Sequence, residues 1–312
     1  TTQSTGFPAD EHVNNKKQFI MKKYLGTLLL FCVAISANAQ LLWRISGNGL
    51  TEPSYIMGTH HLASLSIKDS IQGLQAALDH TRQVYGELKM SEMQDQTKAA
   101  ALLQKYMTTE TDTTFKSLFT DEEYELINKC SKENLMFDIA MLPKVKPAFL
   151  SNNLIVILYM KHVGGFNPQE QLDTYFQTQA TEKGKKTEGL ETMDFQMDLL
   201  YNQSSLKRQA ETLLCFINNI DENIELTKKL TSAYMAQDLA AMEKISDGEL
   251  CSMTPQEKTN MIDNRNQKWV KALPEIMKTA PTFIAVGALH LPGENGVLNL
   301  LKKQGYAVDP VK

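Results

Sequence analysis

The chain has 312 residues, of which 42% are hydrophobic and 22% are charged. This composition is typical of a globular protein that can bury a large core. The net charge is -4, and no basic excess or basic tail is present. The composition therefore argues against a nucleic-acid partner, which usually requires a positively charged face.

The N-terminal region reads as an export signal. Residues 1–20 are polar and are interpreted as an upstream extension that is disordered. Residues 21–23 (MKK) precede an apolar run at 25–35, and a small-residue cleavage site follows it. This pattern predicts a signal peptide over 21–39, because the apolar run is short for a membrane span of ~20 residues. A membrane anchor is the alternative. We expect an exported protein, periplasmic or secreted, without a stable membrane span after cleavage.

Cleavage leaves the cysteines Cys130, Cys215 and Cys251. An exported protein permits one disulfide, but sequence cannot choose the pair. Cys215 lies in the apolar segment LLCFI, and Cys130 lies near the end of a predicted helix. A thiol nucleophile is possible in principle, but buried or incidental thiols are the preferred interpretation.

Strands and a helix alternate at the start of the mature chain. Residues 41–46 and 54–57 are short apolar runs around a turn-like segment, which predicts a hairpin or two adjacent strands. Residues 67–80 have apolar positions at helical spacing, and 83–88 is a candidate strand. The order strand, helix, strand suggests a βαβ unit.

The middle of the chain, about 91–280, is predicted to be mostly helical. The apolar run 154–160 (LIVILYM) fits a buried helix or a buried strand, and its helical neighbourhood favours a helix. A short strand is expected near 186–191.

The C-terminal part returns to the strand and helix pattern. Residues 282–286 (TFIAV) predict a buried strand, 297–304 a helix, and 306–311 (YAVDPV) a last strand. We therefore predict a single domain over 40–312 of the α/β (α+β) class. Its central sheet is built from both chain ends, with a large helical insertion between them.

A matched motif occurs near each end of the mature chain. Residues 58–62 (GTHHL) and 287–291 (GALHL) share the form G-x-x-H-L, and each follows a predicted strand. The chain has only six histidines. His61 and His290 should both lie just past the carboxyl end of a strand, where open α/β sheets bind ligands. Since imidazole is a common metal ligand and general base, the two motifs predict one shared chemical site.

Other residues near the predicted strand ends complete this candidate site. Glu87 and Glu191 each end a candidate strand, and two histidines with a carboxylate are a common metal-site composition. His60 should point away from His61 on an extended segment, which makes it a candidate to hold a metal ligand in place or to contact the substrate. Gly58 and Gly287 allow a tight turn or a close approach of backbone.

The sequence resembles the TraB/GumN/PrgY family, which includes the Tiki metalloproteases, over about 41–311. The bacterial GumN-like branch fits best, because the signal peptide is followed directly by the domain. The resemblance lies in WRISG at 43–47, GTHHL at 58–62, YGEL at 85–88, GLET at 189–192, Arg265-Asn266 before Trp269, and the segment 286–306.

The resemblance implies an erythromycin-esterase or Tiki-like fold and a metal-dependent hydrolase. Mn²⁺ or Co²⁺ is the expected ion, with Zn²⁺ as the alternative, and a peptide or another small extracytoplasmic molecule is the expected substrate. Carried over by motif, the metal centre consists of His61, His290 and Glu87, with Glu191 and Arg265 close by. One departure is that Phe195 precedes Gln196, where the family usually has an acidic residue.

The hypothesis from these residues is metal-assisted hydrolysis, in which the ion activates a bound water. Glu191 or Glu87 acts as the general base, and Arg265 stabilises the oxyanion or orients a carboxylate. Two alternatives are a non-catalytic binding module, with a structural metal or none, and a metal-free esterase-like hydrolase in which histidine is the base. Asp173 has no matching context and receives no role.

Overall fold

The computed structural model of the chain describes residues 1–2, 40–93, 95–248 and 250–312. Gln40 to Lys312 form one compact unit, and the fold is that of this unit. The predicted signal peptide over 21–39 lies outside the described residues, as does nearly all of the predicted upstream extension.

In the described part of the chain, six strands form one mixed sheet in the order β4-β3-β5-β2-β1-β6. Strands β4, β3, β5 and β2 are parallel to one another, whereas β1 is antiparallel to both of its neighbours. The strands are β1 (Leu42–Ser46), β2 (Ser54–Thr59), β3 (Gln83–Gly86), β4 (Lys186–Gly189), β5 (Thr282–Gly287) and β6 (Ala307–Pro310).

This sheet confirms the predicted α/β class and the contribution of both chain ends. β1 and β2 form the predicted hairpin, with Leu42 opposite Met57. β5 lies between β3 and β2, and Phe283, Ile284 and Val286 of β5 are fully buried. Such a continuous apolar run is typical of a parallel strand that is covered on both faces.

The insertion is helical, as predicted, and residues 154–160 lie within a helix. No helix among the described residues is long and apolar enough to cross a membrane. The helices are α1 (Leu74–His80), α2 (Met90–Met93), α3 (Gln96–Met107), α4 (Asp121–Asn134), α5 (Pro147–His162), α6 (Leu172–Glu182), α7 (Met193–Asn202), α8 (Leu206–Asn218), α9 (Ile220–Met235), α10 (Leu239–Asp247), α11 (Pro255–Lys258), α12 (Asn264–Thr279) and α13 (Val297–Lys303).

The prediction of one continuous helix over 67–80 is wrong. A 3₁₀ helix covers Leu65–Ser70, and α1 begins only after Gly73. Gly73 has a φ of 74°, a left-handed conformation that glycine adopts easily and that interrupts a helix. A Cβ atom at this position would lie 2.5 Å from Val311 Cγ1. The absence of a side chain at Gly73 therefore leaves room for the C-terminal segment.

Helix α8 is joined in two ways to the segment that follows α10. Cys215 on α8 forms a disulfide with Cys251, which corrects the interpretation of Cys215 as a buried thiol. Cys130 is free and buried. Nearby, Arg208 Nε donates to Glu257 Oε1 over 3.2 Å, and Ser204 Oγ donates to the same oxygen over 2.6 Å. These contacts attach the segment before α12 to α8 within the helical insertion.

Removing the disulfide should destabilise the protein. We expect the Cys215→Ser/Cys251→Ser variant to lose about 2–4 kcal/mol of unfolding free energy, because the crosslink restricts the unfolded chain. Urea unfolding with and without reductant measures this loss. Reduction of the wild type should reproduce the loss, and the double variant should not respond to reductant. Equal stability of the two proteins without reductant would contradict the prediction.

The Glu257 interaction should make stability depend on pH. Burial alone would raise the pKa of Glu257, but hydrogen bonds from Arg208, Ser204 and the Thr254 backbone lower it from 4.5 to about 2. Because the folded pKa lies below the unfolded one, this stabilisation is complete above about pH 4.5 and disappears as the pH falls towards 2. Glu257→Gln should therefore cost more unfolding free energy at about pH 6.5 than at about pH 3. A pH-independent cost in urea titrations would refute the assignment.

A buried ion-pair site at the strand ends

The four parallel strands end at one edge of the sheet. Thr59 at the end of β2 is the register partner of Gly287 at the end of β5, and Gly86 of β3 is the partner of Gly189 in β4. The residues that follow these strands include the four predicted site residues His61, Glu87, Glu191 and His290. The structure therefore brings both motif histidines and both carboxylates to the same edge.

The two motif glycines allow close backbone packing at this edge. A Cβ atom on Gly58 would lie 2.9 Å from the Ala288 Cα. At Gly287 the backbone N–H donates to Glu87 Oε1 over 2.7 Å, and a Cβ atom would lie 3.2 Å from that oxygen. Both glycines thus occupy places where a larger residue would push neighbouring groups away, as the sequence motif suggested.

Arg265 lies at the centre of the buried part of the site. Its Nη2 donates to Glu87 Oε2 over 2.6 Å and to Glu191 Oε2 over 2.8 Å, and its Nε donates to Glu191 Oε1 over 3.0 Å. Its Nη1 donates to the Met261 carbonyl over 3.1 Å and lies 3.0 Å from His290 Nε2. Every N–H of the guanidinium therefore has an acceptor.

Helix geometry places this arginine. A π-helical turn, Thr259–Asp263, leads directly into α12, on which Arg265 is the second residue. The turn closes with a hydrogen bond from the Asn264 N–H to the Thr259 carbonyl. Such a turn is wider than an α-turn and changes the direction in which the following residues point.

The two carboxylates also accept hydrogen bonds from neighbouring side chains. Trp269 Nε1 donates to Glu191 Oε1 over 3.0 Å, and Gln196 Nε2 donates to both Glu87 Oε2 and Glu191 Oε2 over 3.1 Å. Burial alone would raise the pKa of Glu87, but Arg265 and other nearby groups lower it to about 2. Glu87 is therefore ionised. Gln196 has a structural partner on each carboxylate although Phe195, rather than an acidic residue, precedes it.

His290 is buried and held in one tautomer. Its Nδ1 lies 2.7 Å from Asn266 Oδ1, while Asn266 Nδ2 donates to the carbonyls of His290 and Asn295. Because this orientation leaves Oδ1 as an acceptor, Nδ1 carries the proton and Nε2 accepts from Arg265. Burial lowers the pKa of His290 to about 4, so the ring is neutral near pH 7.

His61 differs from His290 in exposure and in charge. Its side chain is 60% exposed, and Nδ1 lies 3.0 Å from Asp173 Oδ2. Asp173 is in the first turn of α6, and its Oδ1 accepts from the Thr59 hydroxyl over 3.2 Å. The Asp173 charge raises the pKa of His61 to about 9, with a smaller contribution from Glu87. His61 therefore carries a positive charge near pH 7.

His60 is directed into different surroundings from His61. Its Nδ1 accepts from the Leu62 N–H over 3.2 Å, and its ring packs 5.3 Å from the Tyr234 ring and 6.1 Å from the Tyr159 ring. Burial lowers the pKa of His60 to about 4. His60 is a neutral packing residue in this structure, and its predicted contact with substrate stays a prediction.

The site contains one functional candidate that sequence reasoning missed. Asp173 had no motif context, and a carboxylate in the first turn of a helix is an ordinary surface feature. Nothing in the local sequence indicates that α6 packs against the end of β2. The pairing of Asp173 with His61 follows from this packing alone.

The predicted metal ligands do not fit a metal ion in this arrangement. Arg265 already occupies His290 Nε2 and both carboxylates, and His61 Nδ1 is engaged by Asp173. Among the residues that the structure describes, no three side chains of His, Cys, Asp or Glu form a group that could hold a metal ion. Apart from His61 Nε2, the donor atoms of these residues are instead satisfied by hydrogen bonds within the protein.

Fold and site together define an α/β protein with a buried ion-pair network at the carboxyl edge of its sheet. The model of the TraB/PrgY/gumN family matches residues 41–310, which is most of the chain. No curated protein and no solved structure matches the chain. The chain belongs to the TraB/PrgY/gumN family. Its placement in the GumN-like branch and its relation to the Tiki proteases stay predictions.

Removing the central charge should destabilise the fold strongly. We expect Arg265→Met to lose about 3–5 kcal/mol of unfolding free energy, because two buried carboxylates are left without a cation. Arg82→Met is a matched control, since the Arg82 side chain is 60% exposed in its pair with Glu52, and it should cost only about 0–1 kcal/mol.

A rescue variant separates charge from packing. Arg265→Met combined with Glu87→Gln and Glu191→Gln should recover part of the lost stability, because no buried charge then remains unpaired. Urea titrations compare the four proteins. If the triple variant is less stable than Arg265→Met alone, the charge imbalance is not the cause.

Proposed function

We propose that the protein is a hydrolase of amide or ester bonds and that His61 is its proton-transfer residue. The observation that carries this proposal is the pairing of an exposed His61 with Asp173, next to the buried Arg265 network. A carboxylate bonded to Nδ1 fixes the imidazole in one orientation and leaves Nε2 for proton transfer. Membership of the family is compatible with this function and does not by itself specify it.

The reaction is a direct attack of water on the carbonyl carbon. In its neutral form, His61 Nε2 accepts a proton as the water oxygen bonds to that carbon. The protonated ring then gives the proton to the leaving nitrogen or oxygen as the bond to carbon breaks. Because Asp173 raises the pKa of His61, the base form is the minor one near pH 7, and the rate should increase towards pH 9.

The buried network serves the reaction by holding the strand ends in place. All N–H groups of Arg265 are used inside the protein, which supports its role in orienting carboxylates rather than in binding an oxyanion. Glu87 and Glu191 each accept from Arg265 and Gln196, so neither is free to act as the general base in this arrangement. The negative charge of Glu87 favours the protonated form of His61.

A metal-assisted form of the same hydrolysis is the second candidate. The parallel pairing of β2 with β5 favours it, since both motif histidines follow strands that end side by side. This form requires His290 and Glu87 to release Arg265 before they bind an ion. By the family resemblance the ion is Mn²⁺ or Co²⁺, or alternatively Zn²⁺.

The proposed substrate is a peptide or another small molecule met outside the cytoplasm. Amide bonds come first because of the resemblance to metalloproteases, and esters are the second class. The Cys215–Cys251 disulfide supports the proposal that the protein is exported to the periplasm or secreted, since such bonds persist in oxidising compartments.

The test is hydrolysis of a panel of peptide and ester substrates by the wild type and three variants. We expect His61→Ala to lower kcat/KM by about 10²-fold or more, because the proton acceptor is removed. Asp173→Asn should lower it by about tenfold or more, because the orienting charge is lost. His162→Ala, at an exposed helix end, should equal the wild type.

Metal dependence is tested in the same assay. Activity that survives dialysis against chelator supports hydrolysis by His61 without a metal, and activity restored only by added Mn²⁺ or Co²⁺ supports the metal-assisted form. Equal rates in wild type and His61→Ala would refute both. A folded wild type that cleaves nothing in the panel would favour the non-catalytic binding module.

A further inference from the structure

A buried lysine lies in the helical insertion, outside the site described above. Lys146 is only 9% exposed, although lysine is rarely buried without a charged partner. Its Nζ donates to Asn202 Oδ1 over 2.5 Å. In the described part of the chain, Lys146 forms no salt bridge with a carboxylate. Burying an ammonium group without a counter-ion costs free energy. A negatively charged partner would therefore stabilise Lys146 at this position.

The lysine lines a cavity of about 350 Å³ whose walls are suited to an anion. Lys105 contributes a second ammonium group, which is bonded to Tyr106 and Asp194. The cavity is also lined by Ser205 and Leu206, at the start of α8. Since the first N–H groups of a helix lack intrahelical acceptors, this helix end adds positive potential.

The immediate surroundings of Lys146 do not neutralise it. Lys146 itself precedes the first residue of α5, so its backbone adjoins the positive end of a second helix. Burial lowers its pKa, and the opposing effects of Glu110 and Asp198 are smaller. Glu110 also lines the cavity but is exposed to solvent, and Asp198 accepts from Asn202 instead.

We propose that this cavity binds a small oxyanion, a carboxylate or phosphate group, with Lys146 as its main partner. The anion would accept a charge-assisted hydrogen bond from Nζ and face the N-terminus of α8. The neutral polar groups that line the cavity include the Tyr106 hydroxyl and the Asn202 amide. This site is independent of the hydrolase proposal, because it rests on none of the residues at the strand ends.

The test measures binding of inorganic phosphate and of acetate to the full-length folded protein at constant ionic strength. Calorimetry and the ligand-induced rise of Tm should both show saturable binding to the wild type. Lys146→Met should weaken that binding by about tenfold or more, because the charge-assisted bond is lost. Lys161→Met, an exposed lysine near the other end of α5, is the matched control and should bind like the wild type.

A second variant places a carboxylate beside Lys146 without changing the net charge of the protein. Asp198→Asn combined with Asn202→Asp exchanges two side chains that already contact each other over 2.8 Å. It should abolish anion binding and raise Tm in the absence of ligand, because Lys146 gains an internal partner. This variant decides the question if Lys146→Met does not fold.

Three outcomes would overturn the proposal. They are the absence of saturable binding to the wild type, equal binding by wild type and Lys146→Met, and retained binding by the exchange variant. Binding of phosphate but not acetate assigns the site to phosphorylated molecules, and the reverse assigns it to carboxylates. Either result supports an oxyanion site.

Discussion

One arginine determines the arrangement of the strand ends. Arg265 comes from a helix late in the chain, whereas Glu87 and Glu191 follow β3 and β4, so a single guanidinium fixes three distant segments against one another. The two carboxylates are buried and would repel each other without it. His290 is drawn into the same network through Nε2. The edge of the sheet therefore depends on charge neutralisation as much as on hydrophobic packing.

The duplicated G-x-x-H motif leads to two histidines with different chemistry. Parallel pairing of β2 and β5 brings both residues to the same edge, with an offset of one residue because Thr59 rather than Gly58 is the partner of Gly287. His290 is nevertheless buried, neutral and bonded to Asn266 and Arg265, whereas His61 is exposed and protonated beside Asp173. The motif thus specifies where the rings are, and neighbouring helices specify what each ring does. The site therefore combines one imidazole that is fixed in the interior with one that solvent can reach.

Much of the fold could be predicted because it depends on local patterns. The apolar runs that form β2 and β5, and the run 154–160 in α5, are visible in the sequence, and the positions of His61, His290, Glu87 and Glu191 follow from the ends of strands. Asp173 could not be predicted, because its role depends on how α6 packs.

The same limit applies to other long-range contacts. The family resemblance places Arg265 close to Glu87 and Glu191, but no spacing rule gives its pairing with both carboxylates, which are 178 and 74 positions away along the chain. The choice of Cys215 and Cys251 among the cysteines depends on contacts of the same kind. The sequence does not reveal the helix break at Gly73, because the apolar spacing continues through this residue. The break follows from the left-handed backbone conformation of Gly73.

The π-helical turn before α12 holds one residue more than an ordinary α-helical turn. If all five residues of Thr259–Asp263 wound as an α-helix, Arg265 would turn by most of the ~100° that one α-helical residue spans. The guanidinium would then miss both carboxylates, even though no residue of the network had been altered. Removing one residue together with the π winding would instead leave the arginine facing nearly the same way. Divergent copies of the gene should therefore accept the loss of one codon in this segment more readily than replacements that favour α-helical winding at constant length.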